Sequence, residues 1–570
     1  MSGSEGSAGT NSSEDCHSCV GTSGSEGTSE GGGDADASLE LPPGASVNTG
    51  RVATAHTCVE CHSNTDGAEA MRDDQGRAIA AHDLWRGTMM ANSARDPFWH
   101  AMVEAEVLAT PSAAAAIEAK CTRCHAPLLA AELELRGEDP PAMATLLEPD
   151  SELAALGLDG VSCTLCHQIE ADKLGQPASF SGAWLVAGEG RIYGPHADPF
   201  EMPMLHHVEM TPTQGDQLRD AALCATCHTL DTDALRADGT ALGQSLPEQT
   251  PYLEWQNSSF STSSCQGCHV PTSSVDGVPI STKIARRPMG DDFPPISPRS
   301  PFGRHLFVGG NTMMLGLIRD QAAALEPDAP SAAFDATLAA TREQLEQRTA
   351  SLSFGEITRA GDSLQIPVSI ASVVGHKLPT GFPSRRVFLR VEVRDGGGAL
   401  VFESGGFDDR GRLVDGAGEV LPEELAGGPT MAHADEIASP ELVQIWEAIM
   451  ADEHGDPTYR LLRGADYLKD NRLLPPGWDP AAASDAIAPH GVDGDADFES
   501  AGDTLTYLVS APADAGPYAI TVEAYYQAIS PRFAAELFAL DGPRIAAFEA
   551  MYAAAELTPE RLAAAQTSAP

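Results

Sequence analysis

The pentapeptide Cys163-Thr164-Leu165-Cys166-His167 is one of five copies of the pattern Cys-x-x-Cys-His in the first half of this 570-residue chain. Two thiols separated by two residues lie on one turn and can form thioether bonds to the two vinyl groups of a porphyrin, with the next histidine under the iron. The pattern is the attachment signature of c-type haem. We therefore expect five covalently bound haems. The cysteines of the motifs are Cys58 and Cys61, Cys121 and Cys124, Cys163 and Cys166, Cys224 and Cys227, and Cys265 and Cys268, and the proximal histidines are His62, His125, His167, His228 and His269.

Zinc is the main alternative, because paired Cys-x-x-Cys units also build Cys₄ sites. A zinc ribbon, however, does not need a histidine after every second cysteine, so we favour haem. The remaining cysteines, Cys16 and Cys19, have the spacing without the final histidine. We expect this pair to form a local disulfide or to stay unpaired rather than to hold a sixth haem.

The charge balance restricts the possible partners. The chain has 35 basic and 82 acidic residues, a formal net charge of −47, and five haems would add propionates. A phosphate backbone would be repelled, which excludes nucleic acid as a partner. The charge suits docking of redox partner proteins with basic surfaces, and it equally suits a surface adapted to a salty environment.

Membrane and export signals are absent from the printed sequence. No stretch approaches 18 apolar residues, so we expect no transmembrane segment, and the first residues have neither a charged n-region nor an apolar h-region. Because c-type haem is attached after export, we nevertheless expect an exported protein, periplasmic or on the cell surface.

The first half divides by composition. Residues 1–48 are rich in Gly, Ser, Glu, Asp and Thr, and predict a disordered acidic tether. Residues 50–310 carry all five motifs and predict a pentahaem cytochrome c domain of mostly helix and coil, with helices near 85–108 and 113–120. Residues 311–350 have helical spacing and predict a helical connector.

In the second half of the chain, apolar residues change from helical spacing to alternation with polar residues. Leu364, Ile366, Val368 and Ile370 alternate with polar residues, and similar runs follow up to about residue 524. Alternation between Gly-rich turns predicts an antiparallel β-sandwich of immunoglobulin-like type over 351–530, and 531–570 predicts a C-terminal helix. The predicted fold class is α+β and multidomain.

Several stretches together resemble a bacterial family of multihaem c-type cytochromes with a C-terminal β-sandwich domain. The resemblance covers about residues 50–560 and implies electron transfer. The stretches read WRGTMMANSARDP from Trp85, GVSCTLCHQ from Gly160, PEQTPYLEW from Pro247, RHLFVGGN from Arg304, GHKLPTG from Gly375 with SRR from Ser384, and KDNRLLP from Lys469.

The second axial ligand of each iron decides the function, because a second histidine favours an electron carrier whereas an open position permits chemistry. His376 lies in a Gly- and Pro-stiffened turn between predicted strands, and His305 follows the last motif. Arg385 and Arg386 offer guanidinium groups to haem propionates or to surface ion pairs. The candidate distal ligands are His82, His196, His206, His207, His305 and His376.

Three classes of function remain open. The first is an exported carrier that passes electrons along five haems, mainly with two histidine ligands each. The second is a multihaem oxidoreductase with one open haem that acts on a small nitrogen or sulfur compound. The third is a subunit of a haem filament or conduit. An electron-transfer protein is favoured over a catalyst.

Overall fold

The folded part of the chain begins earlier than its composition predicts. A computed structural model describes residues 38–570; residues 1–37, which include Cys16, Cys19 and most of the predicted tether, lie outside the described residues. Leu39, Leu41 and Val47 are buried, and Leu39 and Leu41 belong to the same apolar core as Phe98. The stretch 38–48 is therefore packed rather than part of a tether, because its three large aliphatic side chains are buried.

Short helices joined by long loops form the part of the chain that carries the motifs. The elements are α1 (Val59–His62), α2 (Ala81–Trp85), α3 (Pro97–Ala109), α4 (Ala114–His125), α5 (Pro127–Arg136), α6 (Glu152–Leu158), α7 (Cys163–Cys166), α8 (Met202–Val208), α9 (Ala221–His228), α10 (Pro251–Gln256), α11 (Cys265–His269), and the strands β1 (Arg191–Gly194), β2 (Thr211–Gln214), β3 (Leu230–Leu235) and β4 (Ala241–Gln249). Strands β1 and β2 pair in parallel, and β3 and β4 form an antiparallel hairpin.

Helix α3 shows how local signals set a boundary. Pro97 occupies its first turn, and the Asp96 carboxylate accepts hydrogen bonds from the backbone N–H groups of Phe98 (2.9 Å) and Trp99 (3.3 Å). A proline at the first helical position and an aspartate N-cap both start helices. The helix predicted near 85–108 therefore begins at Pro97, and Trp85 ends the separate helix α2.

The predicted connector is helical, and it shares an apolar core with α3 and with the helices near the C-terminus. It comprises α12 (Thr312–Asp320), α13 (Ala322–Leu325) and α14 (Ser331–Arg348), and two further helices, α15 (Pro531–Phe538) and α16 (Pro543–Ala554), lie near the C-terminus. The Phe98 ring of α3 lies 5.9 Å from Phe533 and 5.4 Å from Phe548, measured between ring centroids. The motif-bearing part is thus packed directly against the C-terminal helices.

Two sheets form most of the second half. Their strands are β5 (Ala350–Phe354), β6 (Thr358–Ala360), β7 (Ser363–Ser372), β8 (Arg386–Arg394), β9 (Leu400–Ser404), β10 (Glu436–Ile437), β11 (Ile445–Ala451), β12 (Pro457–Thr458), β13 (Asp466–Asp470), β14 (Gly502–Ser510), β15 (Tyr518–Gln527) and β16 (Glu560–Ala569). One sheet has the order β10-β14-β7-β5 with β6 on β7, and the other has the order β12-β11-β8-β15-β16 with β13 on β11 and β9 on β8. Alternate residues of β7, β8, β14 and β15 enter one apolar core, so the two sheets face each other as the period-2 pattern predicts.

Two details differ from the sequence prediction. Residues 560–569 form strand β16 and pair with β15, for example Ala565 opposite Val522, where a helix was expected. Alanine-rich sequence favours helix, but an available sheet edge overrides that preference. Strand β10 pairs with β14 in parallel, so the first sheet is mixed, and the immunoglobulin-like topology stays a prediction. Nowhere between residues 38 and 570 is a helix both long enough and apolar enough to span a bilayer.

Candidate haem-binding sites

The five motifs share one local structure. Each lies on a short helix or at a helix end, namely in α1, α4, α7, α9 and α11. Residues three apart on a helical turn face the same side, so each cysteine pair presents its sulfurs together. All ten motif cysteines are free thiols, and each keeps part of its surface accessible. The pairs are thus available for bond formation rather than being used in disulfides.

Backbone carbonyls fix the orientation of four motif histidines. His62 Nδ1 lies 3.0 Å from Ile284 O, His125 Nδ1 lies 3.2 Å from Ser93 O, and His167 Nδ1 lies 2.6 Å from Tyr193 O. His269 Nδ1 lies 2.9 Å from Val308 O. Because a carbonyl only accepts, each Nδ1 must carry the proton, which leaves the Nε2 lone pair free for a metal.

The protonation state also suits a metal. Burial lowers the pKa of His125 to about 4 and lowers the pKa of His62, His167 and His269 below the usual value. An imidazole must be neutral to bind iron. These four side chains are therefore neutral at pH 7, with the tautomer that an Nε2-bound metal requires.

His305 faces a motif histidine. The ring centroids of His305 and His167 are 6.4 Å apart and their planes differ by 20°. Two imidazoles that bind one metal from opposite sides, each through a bond of about 2 Å, have ring centroids about 6 Å apart. His305 Nδ1 donates to Gly303 O at 3.1 Å, so its Nε2 is free as well. The pair fits the two axial positions of one iron.

His82 has an unsatisfied nitrogen. The residue is 4% exposed, its Nδ1 lies 3.4 Å from Asp83 Oδ1, and its Nε2 is buried without a hydrogen-bond partner. An unpaired buried polar atom is costly. His82 also lies near His62, whose pKa is lowered by burial and then by the neighbouring His167 and His82. The buried Nε2 therefore fits a second ligand at the first motif.

His376 is held beside the last motif. It lies in the loop between β7 and β8, and its Nδ1 donates to Lys377 O at 3.0 Å. It lies near His269, whose pKa is lowered by burial and then by His376. This loop is anchored by Glu254 of α10, whose Oε2 accepts from the backbone N–H of Lys377 (3.0 Å) and from the hydroxyl of Thr380 (2.6 Å).

A buried charge network completes that anchor. Lys377 Nζ lies 2.6 Å from Asp470 Oδ2, and Arg472 bridges Asp470 Oδ1 (2.7 Å) and Glu254 Oε1 (3.1 Å). All four side chains are almost fully buried. They come from three of the stretches that carry the family resemblance, which begin at Pro247, Gly375 and Lys469. These distant stretches therefore meet at one site, beside His376.

The other three candidate distal ligands, His196, His206 and His207, are more accessible to solvent. His196 is half-buried, and His206 and His207 of α8 are exposed. His207 Nε2 pairs with Glu60 Oε2 at 2.8 Å, and Glu60 lies inside the first motif. Within the described residues none of these three rings contacts a motif histidine ring, so their role as ligands stays a prediction.

Three further side chains have surroundings that their own sequence context does not predict. His100 is fully buried, and its Nε2 donates to Ala94 O at 2.9 Å. Trp99 stacks on His125 with centroids 4.8 Å apart and planes 5° apart. Arg386, considered for propionates or surface pairs, forms a buried two-pronged ion pair with Glu424 at 2.6 and 2.9 Å. This ion pair keeps the Arg386 guanidinium buried in the β-rich part, so it is neither a surface ion pair nor directed at a haem propionate.

Cysteines of different motifs are neighbours. Hydrogen bonding of the Cys163 thiol to Cys58, then burial, raises the pKa of Cys163, and similar contacts join Cys124 with Cys227 and Cys224 with Cys265. These contacts connect the first motif to the third, the second to the fourth, and the fourth to the fifth.

The third and fourth motifs are also close. Burial, followed by the nearby Cys227, raises the pKa of Cys166 to about 12. The motifs therefore form a continuous series in the order first, third and fourth, and both the second and the fifth adjoin the fourth.

Comparison with known proteins supports the fold. No protein-family model matches the chain, and no curated protein is similar to it. Among solved structures it is similar to a penta-heme cytochrome c552 from Thermochromatium tepidum, with a TM-score of 0.50 and 16% identity over 92% of this chain and 100% of that chain. At this identity the likeness concerns the fold: the described chain has a multihaem cytochrome-like fold.

Proposed function

We propose that this chain is an exported c-type cytochrome that binds five haems covalently and carries electrons between protein partners. The observation that carries this proposal is the continuous series of neighbouring Cys-x-x-Cys-His motifs. Haem iron, when bound, supplies a one-electron couple between its ferric and ferrous states. The fold likeness to a penta-heme cytochrome supports the same function.

The residues of this chain have three roles in the proposal. The cysteine pairs fix each macrocycle, and their contacts bring the vinyl edges of neighbouring macrocycles together. The carbonyl-bonded histidines each present Nε2 to one iron. His82, His305 and His376 supply the second ligand at the first, third and fifth motifs, which closes those positions to small molecules.

The surface charge supports the kind of partner. A formal net charge of −47 attracts basic protein surfaces and speeds their encounter at low ionic strength. We propose redox partners with basic docking surfaces, in the compartment outside the cytoplasm where c-type haem is attached.

A visible spectrum of the dithionite-reduced protein, recorded before and after carbon monoxide is added, tests the function. We expect haem bands and no change with carbon monoxide, because the proposal assigns His82, His305 and His376 to three of the sixth positions and one of the other distal candidates to each of the remaining two. A shift of part of the Soret band would instead favour the oxidoreductase with an open haem. A protein without haem bands would refute the proposal and return zinc to consideration.

The role of His305 has its own test. We expect His305→Ala to open one haem, so that about one fifth of the Soret intensity shifts with carbon monoxide. His454 is exposed in a turn, and the matched variant His454→Ala should behave like the unaltered protein. A His305→Ala spectrum unaffected by carbon monoxide would contradict the assignment.

A further inference from the structure

A group of aspartates lies at one edge of the β-rich part, far in sequence from the haem motifs. Asp435 precedes the edge strand β10, Asp495 and Asp497 lie in the loop before β14, and Asp503 is in β14. Asp435, Asp495 and Asp497 each offer a carboxylate oxygen, and these oxygens lie within 4.8 Å of one another. Asp503 offers an oxygen within the same distance of Asp495. Like charges so close repel unless a cation or protons separate them.

Asp503 has an oxygen that nothing satisfies. The residue is 4% exposed. Its Oδ2 accepts from the indole N–H of Trp446 at 2.8 Å, whereas Oδ1 is buried and has no hydrogen-bond partner. A buried carboxylate oxygen without a partner is costly. A cation held between Asp495 and Asp503, beside Asp435 and Asp497, would satisfy it.

His433 is beside the cluster but is not a ligand. Its Nδ1 accepts hydrogen bonds from the amide groups of Gln444 (2.8 Å) and Asn471 (3.0 Å). The proton must therefore be on Nε2, which donates to Asp495 Oδ2 at 2.7 Å. A nitrogen that carries a proton cannot bind a metal, so His433 orients Asp495 from behind, as supporting residues do in metal sites. The donor set is then oxygen only.

We propose that this cluster binds one Ca²⁺ ion through Asp435, Asp495, Asp497 and Asp503. Oxygen-only sites select Ca²⁺ or Mg²⁺ over zinc and other nitrogen- or sulfur-seeking metals. Ca²⁺ takes six to eight oxygens in flexible geometry, whereas Mg²⁺ demands a near-ideal octahedron and keeps several waters. Carboxylates from β14, from the loop before it and from the residue before β10 suit the flexible coordination of Ca²⁺. The bound ion would fasten the loop before β14 to the edge strand β10.

Calorimetric titration of the haem-loaded, chelator-treated full chain with CaCl₂ tests the proposal. We expect one site per chain that is weakened about tenfold or more by Asp497→Asn or Asp435→Asn, because each removes a ligand charge. Both residues are exposed, so folding should survive, and an unchanged haem spectrum checks this. Asp493→Asn is the matched control, since Asp493 is exposed in the same loop but outside the cluster.

Thermal unfolding supplies a second readout. Ca²⁺ should raise the melting temperature of the unaltered chain and of Asp493→Asn, and should leave that of Asp497→Asn nearly unchanged, because only an ion that binds the folded state stabilises it. Absence of Ca²⁺ binding at millimolar concentration would overturn the proposal. Equal weakening by Asp493→Asn, or binding of Zn²⁺ in preference to Ca²⁺, would overturn it too.

Discussion

Cys163→Ala/Cys166→Ala is expected to divide the remaining haems into two groups that exchange electrons slowly. The third motif adjoins the first through Cys58 and the fourth through Cys227. When the third motif has no haem, the haem of the first motif is separated from those of the second, fourth and fifth motifs. Limiting reductant in a stopped-flow experiment should then produce a slow redistribution phase, at least an order of magnitude slower than any phase of the unaltered protein.

The matched control removes a haem at the end of a branch. Cys121→Ala/Cys124→Ala deletes the second motif, which adjoins only the fourth in the contacts among described cysteines. Intact mass should show four haems in both variants, so they differ only in position. In this control variant, electrons should redistribute among the four haems as fast as in the unaltered protein. Equal kinetics in the two variants would contradict the proposed order of haems.

The haem attachment positions can be predicted from sequence because each motif is local. The two cysteines and the histidine of Cys163 to His167 act on one turn and need no information from the rest of the chain. The second ligands are different. His305 is far from His167 in sequence, and only the folded chain shows that their rings lie 6.4 Å apart. No periodicity or composition signals that pairing.

Tertiary packing also overrode several local signals. Residues 560–569 have a composition that favours helix, yet they satisfy the free edge of β15. Leu39 and Leu41 sit in a polar segment, yet they fill a core beside Phe98. In both cases the deciding partner is supplied by a distant part of the chain, which a window of sequence does not contain. The alternating runs of β7 and β14 were predictable because burial on one face of a strand leaves a period of two.

Asp470→Ala is expected to be the most destabilising single substitution in the β-rich part. Asp470 contacts Lys377 and Arg472, both buried. Removing one member of a buried ion pair leaves an uncompensated charge and costs about 3–5 kcal/mol. Denaturant unfolding of the haem-loaded protein measures this cost. Asp466→Ala is the matched control, because Asp466 is exposed in the same strand, and it should change stability by no more than about 0.5 kcal/mol.

Asp470→Ala should also weaken the binding of His376 to the haem iron of the fifth motif. Lys377 adjoins His376 in the chain, and its backbone N–H is held by Glu254, which Arg472 also contacts. Loosening this network frees the loop that presents His376. We expect Asp470→Ala to make one haem sensitive to carbon monoxide, whereas Asp466→Ala does not. A variant that loses stability but keeps a carbon monoxide-insensitive spectrum would show that the network supports the sheet and not the ligand.

The stability difference should depend on pH in a direction that the network fixes. Burial alone would raise the pKa of Asp470, but Arg472 and Lys377 outweigh it and hold the pKa well below its usual value. A carboxyl whose pKa is depressed by folding stabilises the protein above its unfolded pKa of about 3.9 and loses that contribution as the pH falls towards the folded pKa. The gap between unaltered protein and Asp470→Ala should therefore be constant from pH 7 to about pH 5 and shrink by about 1 kcal/mol at pH 3. A gap that widens on acidification would mean that Asp470 is not the charged partner of Lys377 and Arg472.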